Sequence, residues 1–240
     1  MMNALRTLLL AALALTVLSP KAAAESPRSM MLELHAGPYK PQIDEAFLYS
    51  SPYADYFADS PMVMLGFHWD YQLWQGFGSV ALGVGARIGW ASGVAVSQNG
   101  SDTSDPTRLN VLPLSTSVTY RFDWLAQRFQ VPLVPYFKGG LTYSVWWVTN
   151  GSGEIANTYD LEGEGRAGYG GTFGFHVGGG LQFLLDWFGA GMAAEFDSEV
   201  GVNNSYIFFE YAYHSVNDFG SESSFDLGDA NFSAGLMFEF

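Results

Sequence analysis

Asn231-Phe-Ser-Ala-Gly-Leu-Met-Phe-Glu-Phe240 closes the chain, and its side chains alternate in character from end to end. Phe232, Ala234, Leu236, Phe238 and Phe240 fall on one face, and Asn231, Ser233, Gly235, Met237 and Glu239 fall on the other. Successive strand side chains point to opposite sides, so this pattern makes a strand with one apolar surface and one largely polar surface. Ten such residues reach ~33 Å, which suits a tilted bilayer crossing. Soluble sandwiches also end on amphipathic strands, so the rest of the chain must decide.

Seven further segments carry the same period of two: residues 30–37, 62–73, 79–91, 111–122, 134–148, 172–185 and 205–215. In 79–91, Val80, Leu82, Val84, Ala86, Ile88 and Trp90 oppose Ala81, Gly83, Gly85, Arg87, Gly89 and Ala91. An even strand count returns both ends to one side, as a closed up-and-down barrel requires, and closure leaves no unpaired edge in lipid. The fold expected is all-β: a closed antiparallel transmembrane barrel of eight strands. With the C-terminus at the periplasmic side, the long polar stretches 38–60, 92–109, 149–170 and 216–228 fall outside, and the short links 74–78 and 123–131 fall inside. The link 186–200 is long for a periplasmic turn. Trp187, Met192, Ala193 and Phe196 predict a short helix over 187–199.

Two aromatic belts are expected at the strand ends. Trp69, Tyr71, Trp74, Tyr120, Phe122, Trp124, Phe183 and Trp187 mark the inner rim; Trp90, Trp146, Trp147 and Tyr213 mark the outer rim. A soluble lipid-carrying barrel is the competing reading. It would turn the apolar residues inward and leave the glycines facing solvent.

The N-terminus points to export. A positive start ending at Arg6 precedes the apolar run 7–18, and Ala22-Ala23-Ala24 supplies small residues for a signal peptidase. Residues 1–24 read as a cleaved signal peptide, too short to anchor as a membrane helix, leaving 25–240 as one barrel domain. No cysteine is present, so neither a lipid anchor on cysteine nor a disulfide framework is available.

Composition agrees with a barrel. Only 14% of residues are charged, against about 25% in soluble domains, while 16% are aromatic and 28 are glycine. Losing Arg6 and Lys21 with the leader would take the net charge from −14 to −16, which argues against nucleic acid as a partner. Carboxylates crowd the predicted external loops, where they could hold divalent cations against lipopolysaccharide phosphates or form a solvated acidic surface.

Several stretches carry a family resemblance: Gly37-Pro-Tyr-Lys-Pro41, Thr107-Arg-Leu-Asn-Val-Leu-Pro-Leu114, Tyr120-Arg-Phe-Asp123, Val134-Pro-Tyr-Phe-Lys-Gly-Gly-Leu141 and Asn204-Ser-Tyr-Ile-Phe-Phe-Glu-Tyr211. The chain resembles small outer-membrane β-barrel proteins of the myxobacterial type, and more broadly the eight-stranded OmpA- and OmpW-like barrels. That resemblance implies a fold and an outer-membrane location but no biochemical activity. Ser233, Gly235, Phe238 and Phe240 resemble the C-terminal signal that barrel-assembly machinery reads in Gram-negative outer-membrane proteins.

The inward faces collect the residues that could carry chemistry: Glu33, His35, His68, Asp70, Arg87, Arg121, Lys138, His176, Glu210 and His214, with Glu239. An eight-stranded barrel is just wide enough for side chains to fill, so these groups are expected to pair across the lumen as a plug. Glu33, His35, Arg87, Lys138, His176 and Glu210 should form a middle layer, with Asp70, Arg121 and Glu239 lower. A histidine metal site is the alternative, but no H-E-x-x-H spacing exists and no metal or other cofactor is expected. His214-Ser215 tempts as a catalytic pair, as in lipid A modifying barrels. On a regular strand, however, adjacent side chains face opposite ways. Gly83-Val-Gly85 and Gly178-Gly-Gly180 match neither phosphate-loop pattern and read as lumen packing.

The reading is a non-enzymatic outer-membrane barrel with a structural or surface-interaction role and a closed or narrow lumen. Its expected partners are outer-membrane lipid, lipopolysaccharide and the barrel-assembly machinery. A small channel for apolar or small solutes and a lipid A modifying enzyme are the alternatives.

Overall fold

The computed structural model describes residues 29–47, 49–96, 102–129, 131–159, 165–188, 199–221 and 224–240. The expected signal peptide, and most of the helix expected over 187–199, lie outside them.

Eight strands form the barrel: β1 (Met30–Tyr39), β2 (Met62–Gly76), β3 (Gly78–Val96), β4 (Asp102–Arg121), β5 (Leu133–Thr149), β8 (Tyr169–Leu184), β9 (Asn204–Val216) and β10 (Asp229–Glu239). They close antiparallel in the order β1-β10-β9-β8-β5-β4-β3-β2, so no barrel edge is left open. Two short strands, β6 (Asn157–Tyr159) and β7 (Gly165–Ala167), pair as a separate hairpin in the β5–β8 connection. Helix α1 (Pro52–Phe57) lies in the β1–β2 connection, and α2 (Trp124–Phe129) between β4 and β5.

Alternation in the sequence becomes inside and outside. Lumen positions of β2 such as Met64, His68 and Asp70 are buried, while Val63, Leu65, Phe67, Trp69 and Tyr71 are exposed. A ring of outward neighbours runs Leu34, Phe67, Ala86, Leu114, Tyr143, Phe173, all without charge. Phe137 is 70% exposed and Phe232 67%, values that water would penalise and a hydrocarbon environment favours. The barrel is therefore a transmembrane one, and the lipid-carrier reading, which needs these residues inside, fails.

Strand stagger follows from the pairing. A row leaving Phe67 through Ala86, Leu114 and Tyr143 reaches β8 at Phe173; the same row taken through Leu34, Leu236 and Ile207 reaches β8 at Phe183. That offset of ten positions along one strand is the shear that tilts the strands and sets the bore.

Two boundaries differ from expectation. Residues 92–109 are not mainly loop: β3 and β4 run past the rest of the barrel as a hairpin, with Val94 opposite Pro106 and Val96 opposite Asp102. Each strand supplies the other's backbone partners there, so the ladder continues where no third strand follows. The link 74–78 is tighter than expected, because β2 and β3 are separated by Phe77 alone. Gly78 adopts φ 106°, a left-handed conformation only glycine takes without strain, and Tyr120 Oη donates to the Phe77 carbonyl at 2.6 Å. After β8 the chain makes a 3-10 turn, Leu185–Phe188, where the short helix expected over 187–199 begins.

Candidate functional site

The lumen is filled in levels. Nearest the termini, Arg121 lies buried beneath β10. Its Nε donates to Gln182 Oε1 at 2.8 Å and its Nη1 to Glu239 Oε1 at 2.9 Å, and its guanidinium stacks 5.1 Å over the Tyr206 ring. Asn204 Nδ2 donates to the other Glu239 oxygen at 2.9 Å. Met31, Ala81, Val134, Tyr136, Tyr206, Phe208 and Met237 pack around this pair. A guanidinium removed from water is tolerable only because its charge is matched; Nε and Nη1 find partners, while Nη2 is buried without one.

Above it sits an ion cluster. Lys138 Nζ lies 2.5 Å from Glu33 Oε2 and 3.7 Å from Glu210 Oε2, while Tyr136 donates to Glu210 at 2.9 Å. Against the same wall, Ser117 bonds His68 Nε2 at 2.8 Å, Thr119 donates to Asp70 Oδ1 at 3.1 Å, and that oxygen stands 3.5 Å from His68 Nε2. The facing glycine makes the space: a Cβ on Gly83 would collide with both Asp70 and His68.

The third level holds the remaining histidines. The rings of His176 and His214 stack 5.7 Å apart, Arg87 Nη2 approaches His214 Nδ1 at 3.3 Å, and Thr142 bonds His176 Nδ1 at 2.9 Å. His35 meets the Phe208 ring edge-on at 6.3 Å. Between these groups remains a cavity of about 40 Å³, room for a few waters rather than a solute.

All ten lumen residues therefore face inward, and the predicted layers hold in part. His35, Arg87, Lys138, His176 and Glu210 of the expected middle layer line one cavity, joined there by His68 and His214, and Arg121 pairs with Glu239 below, whereas Asp70 stands beside His68. Shear explains the difference, since equal positions along two strands are not equal heights. Ser233 borders the cavity, and Gly235 sits opposite His35 where a Cβ would strike the β1 backbone. Phe238 turns outward by alternation, and Phe240 exchanges backbone hydrogen bonds with Met30, its N donating at 2.8 Å.

The end away from the termini carries a feature the sequence reading missed. Tyr39, Ile43, Tyr53, Phe57, Met62, Met64, Val111, Val216 and Leu227 form a buried apolar cluster that stoppers the lumen. The stopper is built by the β1–β2 connection folding inward. Asp44 accepts from the backbone N–H groups of Tyr53 at 2.6 Å and Ala54 at 3.1 Å, satisfying the first turn of α1. Tyr39 Oη donates to the Leu227 carbonyl at 2.8 Å. Apolar residues in a polar stretch, Ile43, Tyr53 and Phe57, were the available signal.

Trp146 is also corrected. Expected in the outer aromatic belt, it turns inward and packs edge-on against Phe225, their ring centroids 4.4 Å apart. Alternation already assigned it to the lumen side, with Thr142 and Ser144. His214 and Ser215 lie on opposite faces of β9, the imidazole buried in the lumen.

Comparison with known proteins gives distant structural likeness only. No family model and no curated protein matches the sequence. Among solved structures, the chain is similar to Neisserial surface protein A (12% identity over 90% of this chain and 98% of that one, TM-score 0.47). It is also similar to Ail, the attachment invasion locus protein of Yersinia pestis (11%, 90% and 99%, TM-score 0.41), and to the outer membrane protein OprG from Pseudomonas aeruginosa (9%, 90% and 97%, TM-score 0.47). The class, a closed eight-stranded transmembrane β-barrel, rests on this chain's own strand order and apolar exterior.

Proposed function

We propose that the chain is an integral outer-membrane protein with a structural or surface-interaction role, its barrel a closed support for the elements at the end away from the termini. The observation that carries this reading is the lumen, occupied by an apolar stopper, histidines, an ion cluster and the Arg121–Glu239 pair in succession. A solute would have to break buried ion pairs to pass, at several kcal/mol each. At the stoppered end the chain spends its residues on presentation: α1, the projecting β3–β4 hairpin and the β6–β7 hairpin.

In this reading the termini are periplasmic, the barrel exterior meets outer-membrane lipid and lipopolysaccharide, and Ser233, Gly235, Phe238 and Phe240 guide assembly. Catalysis has no support from His214 and Ser215, whose side chains cannot meet across their own strand. The test is conductance in planar bilayers. Refolded protein is expected to give no steady openings; stable levels on the order of hundreds of picosiemens, as from a water-filled pore, would establish the channel instead.

A further inference from the structure

Among the strand residues whose side chains are described, Arg108 is the one charged group on the outward face of the barrel. Its place is set by pairing. It lies between Ser92 of β3 and Thr149 of β5, one outward row beyond Trp90, Asn110 and Trp147, which also stand side by side. The next row toward the membrane centre includes Leu112 and Val145. Along β4 the exterior thus passes from aliphatic to indole and amide, then to guanidinium and hydroxyls, within ~14 Å of strand. Indoles settle at the boundary between hydrocarbon and headgroups, so the Arg108 row stands at headgroup depth.

The row also borders a built groove. Ser92, Pro106, Arg108, Thr149, Asn150 and Gly151 enclose about 340 Å³, at the lower end of the ~300–1,000 Å³ typical of small-molecule sites. Its far wall is a fixed turn: Asn150 Oδ1 accepts from Ser152 N at 3.1 Å, Ser152 Oγ at 2.8 Å and Glu154 N at 3.0 Å. Among the described residues no carboxylate lines the groove, in a chain of net charge −14. None of the described side chains pairs with the exposed guanidinium, which leaves its fork of donors for an incoming acceptor.

We propose that this groove binds the phosphate of an outer-leaflet lipid headgroup, Arg108 taking the phosphate oxygens while Ser92, Thr149 and Asn150 meet the adjoining hydroxyls. The proposal rests on the outer-membrane reading and gives it a specific lipid contact. A guanidinium matches a phosphate through two parallel hydrogen bonds, and both are strengthened by partial desolvation at the interface.

The test uses full-length protein refolded into phosphatidylcholine vesicles containing a minor fraction of phosphatidic acid, whose headgroup is a phosphate monoester. Native mass spectrometry reads the retention of each lipid. Arg108→Ala is expected to lower retention of phosphatidic acid relative to phosphatidylcholine roughly fivefold, the effect of one arginine near an anionic surface, with Arg108→Lys intermediate. An unchanged ratio in Arg108→Ala overturns the site. Displacement of the lipid by inorganic phosphate at matched concentration overturns the lipid as its ligand in favour of a free anion. Quenching of tryptophan fluorescence by brominated phosphatidylcholine is read in parallel: its absence sinks the membrane reading itself, whereas quenching without phosphatidic acid preference sinks the groove alone.

Discussion

Arg121 Nη1 donates to Glu239 Oε1 across 2.9 Å, although 118 residues separate them in the chain. The bond ties β4 to the closing strand where neither group sees water. Glu239→Ala strands a buried guanidinium and is expected to cost about 3–5 kcal/mol, read as a lowered urea midpoint in vesicles. Replacing both residues by methionine should cost much less, because no orphaned charge remains. Equal losses in the two variants would show that packing, rather than charge matching, holds this level.

Lys138 answers two carboxylates, Glu33 and Glu210. Lys138→Met therefore leaves two buried acids facing each other, and the folded, unboiled gel band should convert at a lower temperature than in Glu33→Gln. The double variant Lys138→Met with Glu33→Gln is expected to recover part of the loss. Purely additive effects, with no coupling in the double-mutant cycle, would dissolve the cluster as a unit.

The stopper should loosen without the barrel. Asp44→Ala removes the acceptor for two N–H groups of α1 and should destabilise that turn by about 1 kcal/mol. Hydrogen exchange over residues 43–57 is expected to quicken while the global urea midpoint stays in place. A matching drop in the global midpoint would mean that stopper and barrel unfold as one.

Alkaline pH should act on the same element. Burial, then Asp59 and Asp44, push the Tyr53 phenol from 10.0 up to about 12. Folding thus favours the neutral phenol, and between those values the opened loop binds fewer protons than the closed one. The contribution of Tyr53 to closure is full below pH 10.0 and is lost as the pH rises through about 12. An ultraviolet titration of the wild type minus Tyr53→Phe should show one phenol ionising in that upper window; ionisation at 10.0 would place Tyr53 in water.

Two adjacent glycines make a controlled comparison. A Cβ on Gly140 would collide with the Thr116 carbonyl and the Ser117 backbone of β4, whereas one on Gly139 meets only ordinary contacts at 3.6 Å. Gly140→Ala is expected to lose at least 1–3 kcal/mol through overpacking, and Gly139→Ala well under that, compared by urea unfolding. Similar stabilities would contradict the close approach of β4 and β5.

What the linear chain determined was sidedness. Alternation is a property of each strand alone, so the aliphatic rows, the ten inward polar residues and the eight-strand count were legible before any contact was known. Trp146 was misplaced only where an aromatic-belt argument overrode that alternation. Height and company were decided by the tertiary structure. The pairing of Lys138 with Glu33, the stacking of His176 on His214, and the Ser92–Arg108–Thr149 row all depend on register and shear. Those arise between strands and leave no periodic trace within one. The stopper is the same case in a loop: Ile43, Tyr53 and Phe57 have no repeat to announce them, and only the open mouth of a closed barrel gives them a place to be buried.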